Sequence, residues 1–260
     1  MRTRTAEIAR RPRAYVRVAG PDAEEYLHRL LSNDVAGLAV GDSCEALLLT
    51  PKARVVAPLV VWRRAKEDFL LLTEPELGEV VRAHLARLRL RARVDIALEE
   101  HSSLIVFGEG EGIPNREYGR PAVEVLDRDL EPTLDDEELE RLRIKAGTPR
   151  FGLEIDDRVL PAEARLDERA ISFTKGCFPG QEPVARLRYR GHVNRRLRVL
   201  HIDTEELPPY DAEIRHGDRV VGRVTSAARD GGRVVALGYV RVEVPDEAEL
   251  SVAGAKAWLH

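Results

Sequence analysis

The sequence predicts an α+β protein that carries a small antiparallel β-barrel in its C-terminal part. Strand-like segments and amphipathic helices share residues 1–192, without the regular strand–helix alternation of a parallel sheet. From residue 193 onward, short strands follow one another and are separated by turn signals. The 260 residues are 43% hydrophobic, which is enough to bury a sizeable core.

The N-terminal part begins with a strand and a helix. Residues 13–19 alternate between apolar and polar side chains, and Pro21-Asp22 then opens a helix with Asp22 as candidate N-cap. A β-rich block follows that contains one amphipathic helix. Its predicted elements are strands at 45–50, 54–63 and 67–73, a helix at 75–90 and a strand at 91–98.

The middle part contains two strands and one helix. Strands are predicted at 102–107 and 119–126, and a helix with an acidic first turn is predicted at 135–145. The glycines of 108–112 do not have the GxGxxG spacing, and the glutamates between them would repel a phosphate, which argues against a nucleotide site. The predicted barrel strands are 196–203, 212–216, 219–227, 233–240 and 249–253.

Composition excludes several classes of protein. Charged residues make up 33% of the chain but nearly cancel to a net charge of −4, so no global field for nucleic acid is expected. The apolar runs at 46–49 and 55–62 are too short to span a bilayer, and the N-terminal stretch lacks the apolar region of a secretory signal. Cys44 and Cys177 form neither a disulfide framework nor a zinc-binding pair, so we expect a reducing cytoplasm and no metal site.

The octet KGCFPGQE at 175–182 contains the richest chemistry of the chain. It places a cation, a thiol, an amide and a carboxylate among two glycines and a proline, which is typical of a loop that presents polar groups. Lys175 lies two residues before Cys177, and a neighbouring cation favours the thiolate. The alternatives are a reactive or ligand-contacting thiol and a buried, inert cysteine beside a turn.

A basic run follows the octet. Arg186, Arg188 and Arg190 alternate with Leu187 and Tyr189, and this alternation predicts a strand with one charged face. Such a face is more often solvated, or lines the site of an anionic ligand, than bound to RNA phosphates.

KGCFPGQE, continued by VARLRYRGHVNRRL, resembles the signature of the YgfZ-type folate-binding proteins, which belong to the superfamily of the glycine-cleavage T-protein, an aminomethyltransferase. The resemblance extends over nearly the whole chain, although the octet is its specific part. The other similar segments are YLHRLLSNDV (26–35), LLTPKARVVAPLVVW (48–62), LRIKAGTPRFGLEI (142–155), LPAEARLD (160–167) and GRVTSAARDGGRVVALGYVR (222–241).

This resemblance implies three units arranged around a central folate pocket. A discontinuous folate-binding domain would comprise 1–43 and 104–192, and it would carry the octet. An α+β unit at 44–103 would be inserted into it, and 193–260 would form the barrel. The implied cofactor is tetrahydrofolate or a one-carbon derivative. The implied role is support of iron–sulfur protein assembly or repair, and thereby of tRNA modification, with iron–sulfur assembly or client proteins as partners.

The resemblance also assigns roles to residues outside the octet. Glu124 would accept hydrogen bonds from the pterin ring, since a carboxylate pairs with two adjacent N–H donors; alternatively it is the outward residue of a strand. Arg143 would bind the carboxylates at the far end of folate; alternatively it lies on a solvated helix face. Asn33 would line the mouth of the pocket, or it would cap the first helix.

Within the octet, Cys177 is the candidate functional thiol. Lys175 would hold it as a thiolate or contact the folate tail, and Gln181 and Glu182 would orient the loop or close the pocket floor. A single cysteine cannot hold an iron–sulfur cluster, which usually needs several protein ligands, so Cys177 would offer one ligand in a shared complex or accept a redox modification. Cys44 is expected to be structural.

One departure from the T-protein pattern bears on enzyme activity. The motif resembling GG-x-x-DDLIV contains acidic residues in T-proteins, whereas Ala57 and Pro58 occupy the corresponding positions here. Neither side chain can act as an acid or a base. The sequence therefore favours a folate-binding protein with a functional thiol. The alternatives are a folate-dependent one-carbon transferase and a protein-interaction scaffold with a vestigial folate pocket.

Overall fold

The computed structural model describes residues 6–260, which form two antiparallel sheets, a closed barrel and four α-helices. The predicted α+β class with a C-terminal barrel is confirmed. Residues 1–5, the start of the predicted first domain, lie outside the described residues. Within 6–260, no helix combines the length and the apolar character needed to cross a membrane.

The first sheet has five antiparallel strands. In spatial order they are β3 (Ser43–Leu49), β4 (Val55–Ala65), β5 (Asp68–Thr73), β2 (Ala14–Ala19) and β6 (Asp95–Glu99).

Two helices cover one face of this sheet and bury a core with it. Helices α1 (Ala23–Leu30) and α2 (Gly78–Leu88) contribute Leu27 and Leu85 to the same apolar cluster as Val16 and Leu71 of the strands. Both leucines are fully buried, which stabilises the fold by roughly 2 kcal/mol each.

The strand predicted at 91–98 begins later than expected, at Asp95. The chain first turns after α2, where Ala92 donates its backbone N–H to the carbonyl of Arg89. Leu90 takes a positive φ of 47° in this turn and is 90% exposed.

The second sheet lies against the other face of the first. In spatial order its strands are β1 (Ile8–Arg10), β7 (Ser103–Phe107), β9 (Ala122–Leu126) and β8 (Ile113–Asn115). Ile113 joins Tyr15, Leu70 and Leu72 in the apolar layer between the two sheets.

Helix α3 (Asp136–Lys145) packs on the second sheet through Leu139, which contacts the cluster around Ile105. Asp135 and Glu138 form a capping box that starts this helix, as its acidic first turn indicated.

Strand pairing divides the N-terminal segment between the two sheets. Strand β2 pairs with β5 and β6, so residues 14–19 belong to the sheet of the 44–103 block, whereas β1 pairs with β7. The predicted grouping of 1–43 with 104–192 therefore does not describe the sheets, and the domain boundaries stay a prediction.

Helix α4 (Gln181–Arg190) occupies the place where a charged strand was predicted, and that prediction is wrong. The alternating run is short enough to fit both periods, and Val184 and Leu187 also have the spacing of one helix face. Gly180, in the left-handed conformation, lies at the start of the helix and Gly191 ends it.

The barrel closes with six antiparallel strands. In order around the barrel they are β10 (Arg195–Ile202), β13 (Val234–Arg241), β12 (Arg219–Arg229), β11 (Glu213–His216), β14 (Leu250–Val252) and β15 (Ala255–Leu259). Strand β15 was not predicted, yet it closes the barrel because it pairs with both β10 and β14.

Candidate functional site

The thiol of the octet lies on the surface. Cys177 is exposed, on a segment without regular structure that leads into α4, whereas Cys44 is half-buried in β3. Burial raises the pKa of the Cys44 thiol to about 12, so this second cysteine stays protonated and unreactive at neutral pH. Of the two cysteines, only Cys177 is accessible to a partner.

Gly180 fixes the C-terminal end of the loop. Its φ is +83°, and a Cβ at this position would lie 2.7 Å from the carbonyl oxygen of Thr50 and 3.0 Å from the Cα of Ala53. Only glycine allows both this conformation and this close approach. Phe178, between Cys177 and Gly180, is buried in the apolar core beneath the loop.

Lys175 fixes the N-terminal end of the loop. Its ammonium donates to the backbone carbonyls of His28, Leu31 (2.6 Å) and Asn33 (3.1 Å), where α1 ends. Carbonyl groups at the end of a helix lack partners within the helix and attract a cation. Burial lowers the pKa of Lys175 to about 8, while the charges of Asp34 and Cys44 oppose this shift.

These contacts use all three N–H donors of the ammonium, since an amine cation carries three. Lys175 therefore has no free donor for a Cys177 thiolate or for a folate tail. The structure assigns it an anchoring contact that the sequence could not reveal.

Gln181 and Glu182 form the first turn of α4. Gln181 is half-buried and Glu182 is exposed, where its carboxylate is favoured by the positive end of the helix dipole. Both residues follow Cys177 closely in the sequence. The structure brings Asn33 to Lys175, whose ammonium donates to the Asn33 carbonyl.

Asn33 cross-links three segments. Its side-chain amide donates to the carbonyls of Glu45 (2.7 Å) and Arg169 (3.2 Å), and its side-chain oxygen accepts from the N–H of Asp34 (2.9 Å). Leu31 is the C-cap of α1 and Asn33 lies two residues beyond it, so Asn33 is not the cap of this helix.

Glu124 lies apart from the loop, in a buried ion pair. Both of its oxygens accept from Arg13, at 3.1 and 2.9 Å, and they also accept from Ser103 (2.6 Å) and Asn115 (3.3 Å). Only 1% of Glu124 is exposed. A pterin ring would have to displace these partners, so Glu124 does not fit the predicted role.

Arg143 is also fully engaged. Its guanidinium donates to both oxygens of Glu140, to the carbonyl of Thr148, to Glu154 (3.0 Å) and to Ser226 (2.9 Å). These contacts use all five N–H donors of the side chain. Arg143 is 3% exposed, so it neither lies on a solvated face nor has a donor left for a carboxylate of folate.

A small cavity of about 40 Å³ lies between strands β3, β4 and β5 of the first sheet and the 166–170 segment. Its lining includes Glu45, Pro58, Glu117 and Arg169. Pro58 occupies one of the positions where T-proteins carry an acid, so this wall of the cavity is hydrocarbon. Ligand sites of drug size usually measure several hundred Å³ (roughly 300 or more), so a pterin requires the lining to move.

Glu45 supplies the free acceptor of this cavity. Its Oε2 pairs with Arg169 at 2.8 Å, whereas its Oε1 is buried and has no hydrogen-bond partner among residues 6–260. Burial raises the pKa of Glu45, and Arg169 opposes this shift. Sequence reasoning missed this residue, although a lone carboxylate in the strand SCEALLL was the available signal.

Within the described part of the chain, no group of three or more His, Cys, Asp or Glu side chains is arranged to hold a metal ion. Within residues 6–260, the Cys177 thiol is therefore not part of a set of side chains that could hold a metal ion.

Comparisons with known proteins find similarity over most of the chain. The model of the GCVT N-terminal domain matches residues 12–108. The chain is 27% identical over 282 aligned residues to the "tRNA-modifying protein YgfZ" of Edwardsiella ictaluri, covering 91% of this chain and 85% of the relative. It is 25% identical to the mitochondrial "iron-sulfur cluster assembly factor IBA57 homolog" of Pyricularia oryzae, covering 86% and 67%.

A solved structure shows the same fold. The glycine cleavage system aminomethyltransferase T of Bartonella henselae superposes with a TM-score of 0.82 and covers 98% of this chain and 85% of its own length, at 21% identity.

We predict that Arg143→Gln lowers the free energy of unfolding by about 3 kcal/mol, because it leaves the buried Glu154 without its cation. Urea denaturation measures this loss. The matched control on the same helix is Arg141→Gln, whose pair with Asp230 is partly exposed and should contribute less than about 1 kcal/mol. Equal losses in the two variants would contradict a structural role for the Arg143 contacts.

We predict that Lys175→Met loosens the octet, because three charge-assisted hydrogen bonds are lost at a cost of about 2 kcal/mol. Hydrogen–deuterium exchange at 172–180 should become faster than in the wild type, whereas Lys66→Met, at an exposed lysine outside this region, should leave it unchanged. Alkylation of Cys177, followed by peptide mass spectrometry, should not slow. Slower alkylation with unchanged exchange would instead show that Lys175 activates the thiol.

Proposed function

Because the chain is a YgfZ-type member of the T-protein superfamily, we propose that it supports the assembly or repair of iron–sulfur proteins and, through them, tRNA modification. The names of two relatives describe these two processes, and both relatives align with most of this chain. The partners are accordingly iron–sulfur assembly or client proteins.

The exposure of Cys177 on an anchored loop carries this proposal. Lys175 and Gly180 hold the two ends of the loop, and Phe178 is buried beneath it, so the thiol is presented to a partner from a fixed position. A preformed loop loses little conformational entropy when it binds. Cys177 therefore binds a group that a partner protein brings to the surface of this protein.

We propose that Cys177 supplies one thiolate ligand to a cluster that the partner protein brings. The thiol releases its proton to solvent, and the sulfur lone pair forms a bond to an iron with an open coordination position; no electron is transferred. One cysteine cannot hold a cluster alone, so the remaining ligands belong to the partner. Redox modification of the same thiol is the alternative use of this site.

A one-carbon transferase is the less favoured function. Ala57 is fully buried and Pro58 lines the small cavity. The two positions at which the resemblance led us to expect acids therefore carry no group that can exchange a proton. Two further carboxylates of that lining are held in ion pairs: Glu117 pairs with Arg11 and Arg13, and Glu74 pairs with Arg11. Acid–base catalysis requires a group that can exchange a proton at the reacting centre.

Tetrahydrofolate or a one-carbon derivative is the proposed cofactor, on the similarity to the GCVT family. Glu45, and not Glu124, has the free acceptor for the pterin N–H donors. Glu124 and Arg143 are held in internal ion pairs, and this observation supports the remaining candidate function, a protein-interaction scaffold with a vestigial folate pocket. No step of the proposed thiol chemistry passes through the cofactor.

We predict that Cys177→Ser abolishes the function while leaving the fold intact. In cells that contain this chain as the sole protein of its type, the activity of an iron–sulfur tRNA-modifying enzyme should fall to the level without the protein. The unfolding free energy should change by less than about 0.5 kcal/mol, because the side chain is exposed. Cys44→Ser is the matched control, and full activity of Cys177→Ser would refute the thiol role.

We predict that tetrahydrofolate binds and that Glu45→Gln weakens its affinity by about tenfold, since one charge-assisted hydrogen bond contributes about 1.5 kcal/mol or more. Isothermal titration calorimetry measures the affinity, and unfolding experiments on the same samples verify the fold. Lys66→Gln, at an exposed lysine outside the cavity lining, is the control. If the wild type shows no saturable binding of tetrahydrofolate, folate binding is refuted and the scaffold with a vestigial pocket is the better description.

A further inference from the structure

A second surface feature lies next to the octet. Helix α4 forms one wall of a groove of about 410 Å³, and the hairpin turn at Lys52-Ala53 together with residues 160–162 forms the other wall. The side chains that give the groove its apolar lining are Leu160, Pro161, Ala162, Pro183, Val184 and Leu187. This volume falls in the usual range of ligand sites.

Unpaired cations surround this apolar lining. Lys52, Arg186, Arg188 and Arg190 all border the groove, and within residues 6–260 none of the four forms an ion pair with a carboxylate. Most other arginines of the described chain are paired. Arg188 instead stacks on the ring of Phe173, with its guanidinium carbon 4.0 Å from the ring centroid.

Among the residues that the structure describes, Asp167 is the one acidic member of the groove lining. It is half-buried, and burial raises the pKa of its carboxyl while the charges of Arg196 and Arg188 oppose this shift. The groove thus combines an aliphatic floor with a strongly cationic border.

We propose that this groove binds an acidic segment of a partner protein, with aliphatic side chains in the floor and carboxylates at the arginines. Interfaces commonly have an apolar centre and a polar rim, and complementary charge on the rim selects the partner. Single-stranded nucleic acid is a poorer match, because it needs aromatic side chains for stacking and the lining contributed by residues 52–191 contains none.

The position of the groove relates it to Cys177. Pro183 and Val184 border the groove and follow Gly180, the residue that ends the octet's loop, by only one turn of α4. A segment bound in the groove would therefore contact the helix into which the Cys177 loop leads. The link between the groove and the thiol depends on the proposed function, whereas binding of a peptide in the groove does not.

The test measures binding of a probe peptide by fluorescence anisotropy with the full chain. The probe is a short fluorescein-labelled peptide of leucine and glutamate, and it should bind in a salt-sensitive manner. The double variant Arg186→Glu/Arg190→Glu should bind about tenfold more weakly, since two exposed charge contacts are reversed. Arg128→Glu, an exposed arginine outside the groove, is the control and should bind as the wild type does.

Two control peptides test the apolar floor and the charge. Replacing the leucines by serine, or the glutamates by lysine, should abolish binding. Unchanged affinity of the double variant, or equal binding of the serine peptide, would overturn the proposal. Tighter binding of a single-stranded RNA oligonucleotide with the same dependence on Arg186 and Arg190 would also overturn it.

Cys177→Ser separates the two proposals. This variant should bind the probe peptide as the wild type does, because its thiol lies outside the groove lining; loss of binding would contradict the groove as an independent site. If Cys177→Ser keeps iron–sulfur function while the double variant loses peptide binding, the thiol role fails and the groove stands.

Discussion

The buried guanidinium of Arg143 is the constraint on which the arrangement of the C-terminal half depends. Its five donors join helix α3, the carbonyl of Thr148, the carboxylate of Glu154 and Ser226 of the barrel. Glu154 also accepts from Ser226, and its backbone carbonyl accepts from Tyr239 of β13. None of these groups can move far without leaving a buried charge unpaired, which costs several kcal/mol (about 3 to 5). The barrel is thereby fixed against the rest of the chain.

The octet is held by the same kind of saturated contact. The ammonium of Lys175 is fully used at the end of α1, and Gly180 packs without a side chain against Thr50 and Ala53. The rigid surroundings leave the Cys177 thiol as the group that remains free for chemistry. An exposed thiol on an anchored loop can approach a partner without a rearrangement of its surroundings.

The centre of the molecule departs from the pattern that the resemblance implied. The fold of an aminomethyltransferase covers 98% of this chain, yet Ala57 and Pro58 lie where the resemblance led us to expect acids. Internal ion pairs occupy the side chains that the resemblance assigned to a ligand, and Glu45 is left with the free oxygen. The features that remain open to a partner lie on the surface: the exposed Cys177 and the groove along α4.

The sequence by itself determined the α+β class, most strands of both sheets and of the barrel, and the loop character of the octet, because these depend on local periodicity and turn residues. Only the tertiary structure decided which charges are free. Glu124 and Arg13 are 111 positions apart, and Lys175 reaches carbonyls more than 140 positions away. It also decided that 181–190 is a helix and that β15 closes the barrel. Ion pairing depends on spatial neighbours, and neighbours this distant along the chain leave no local pattern.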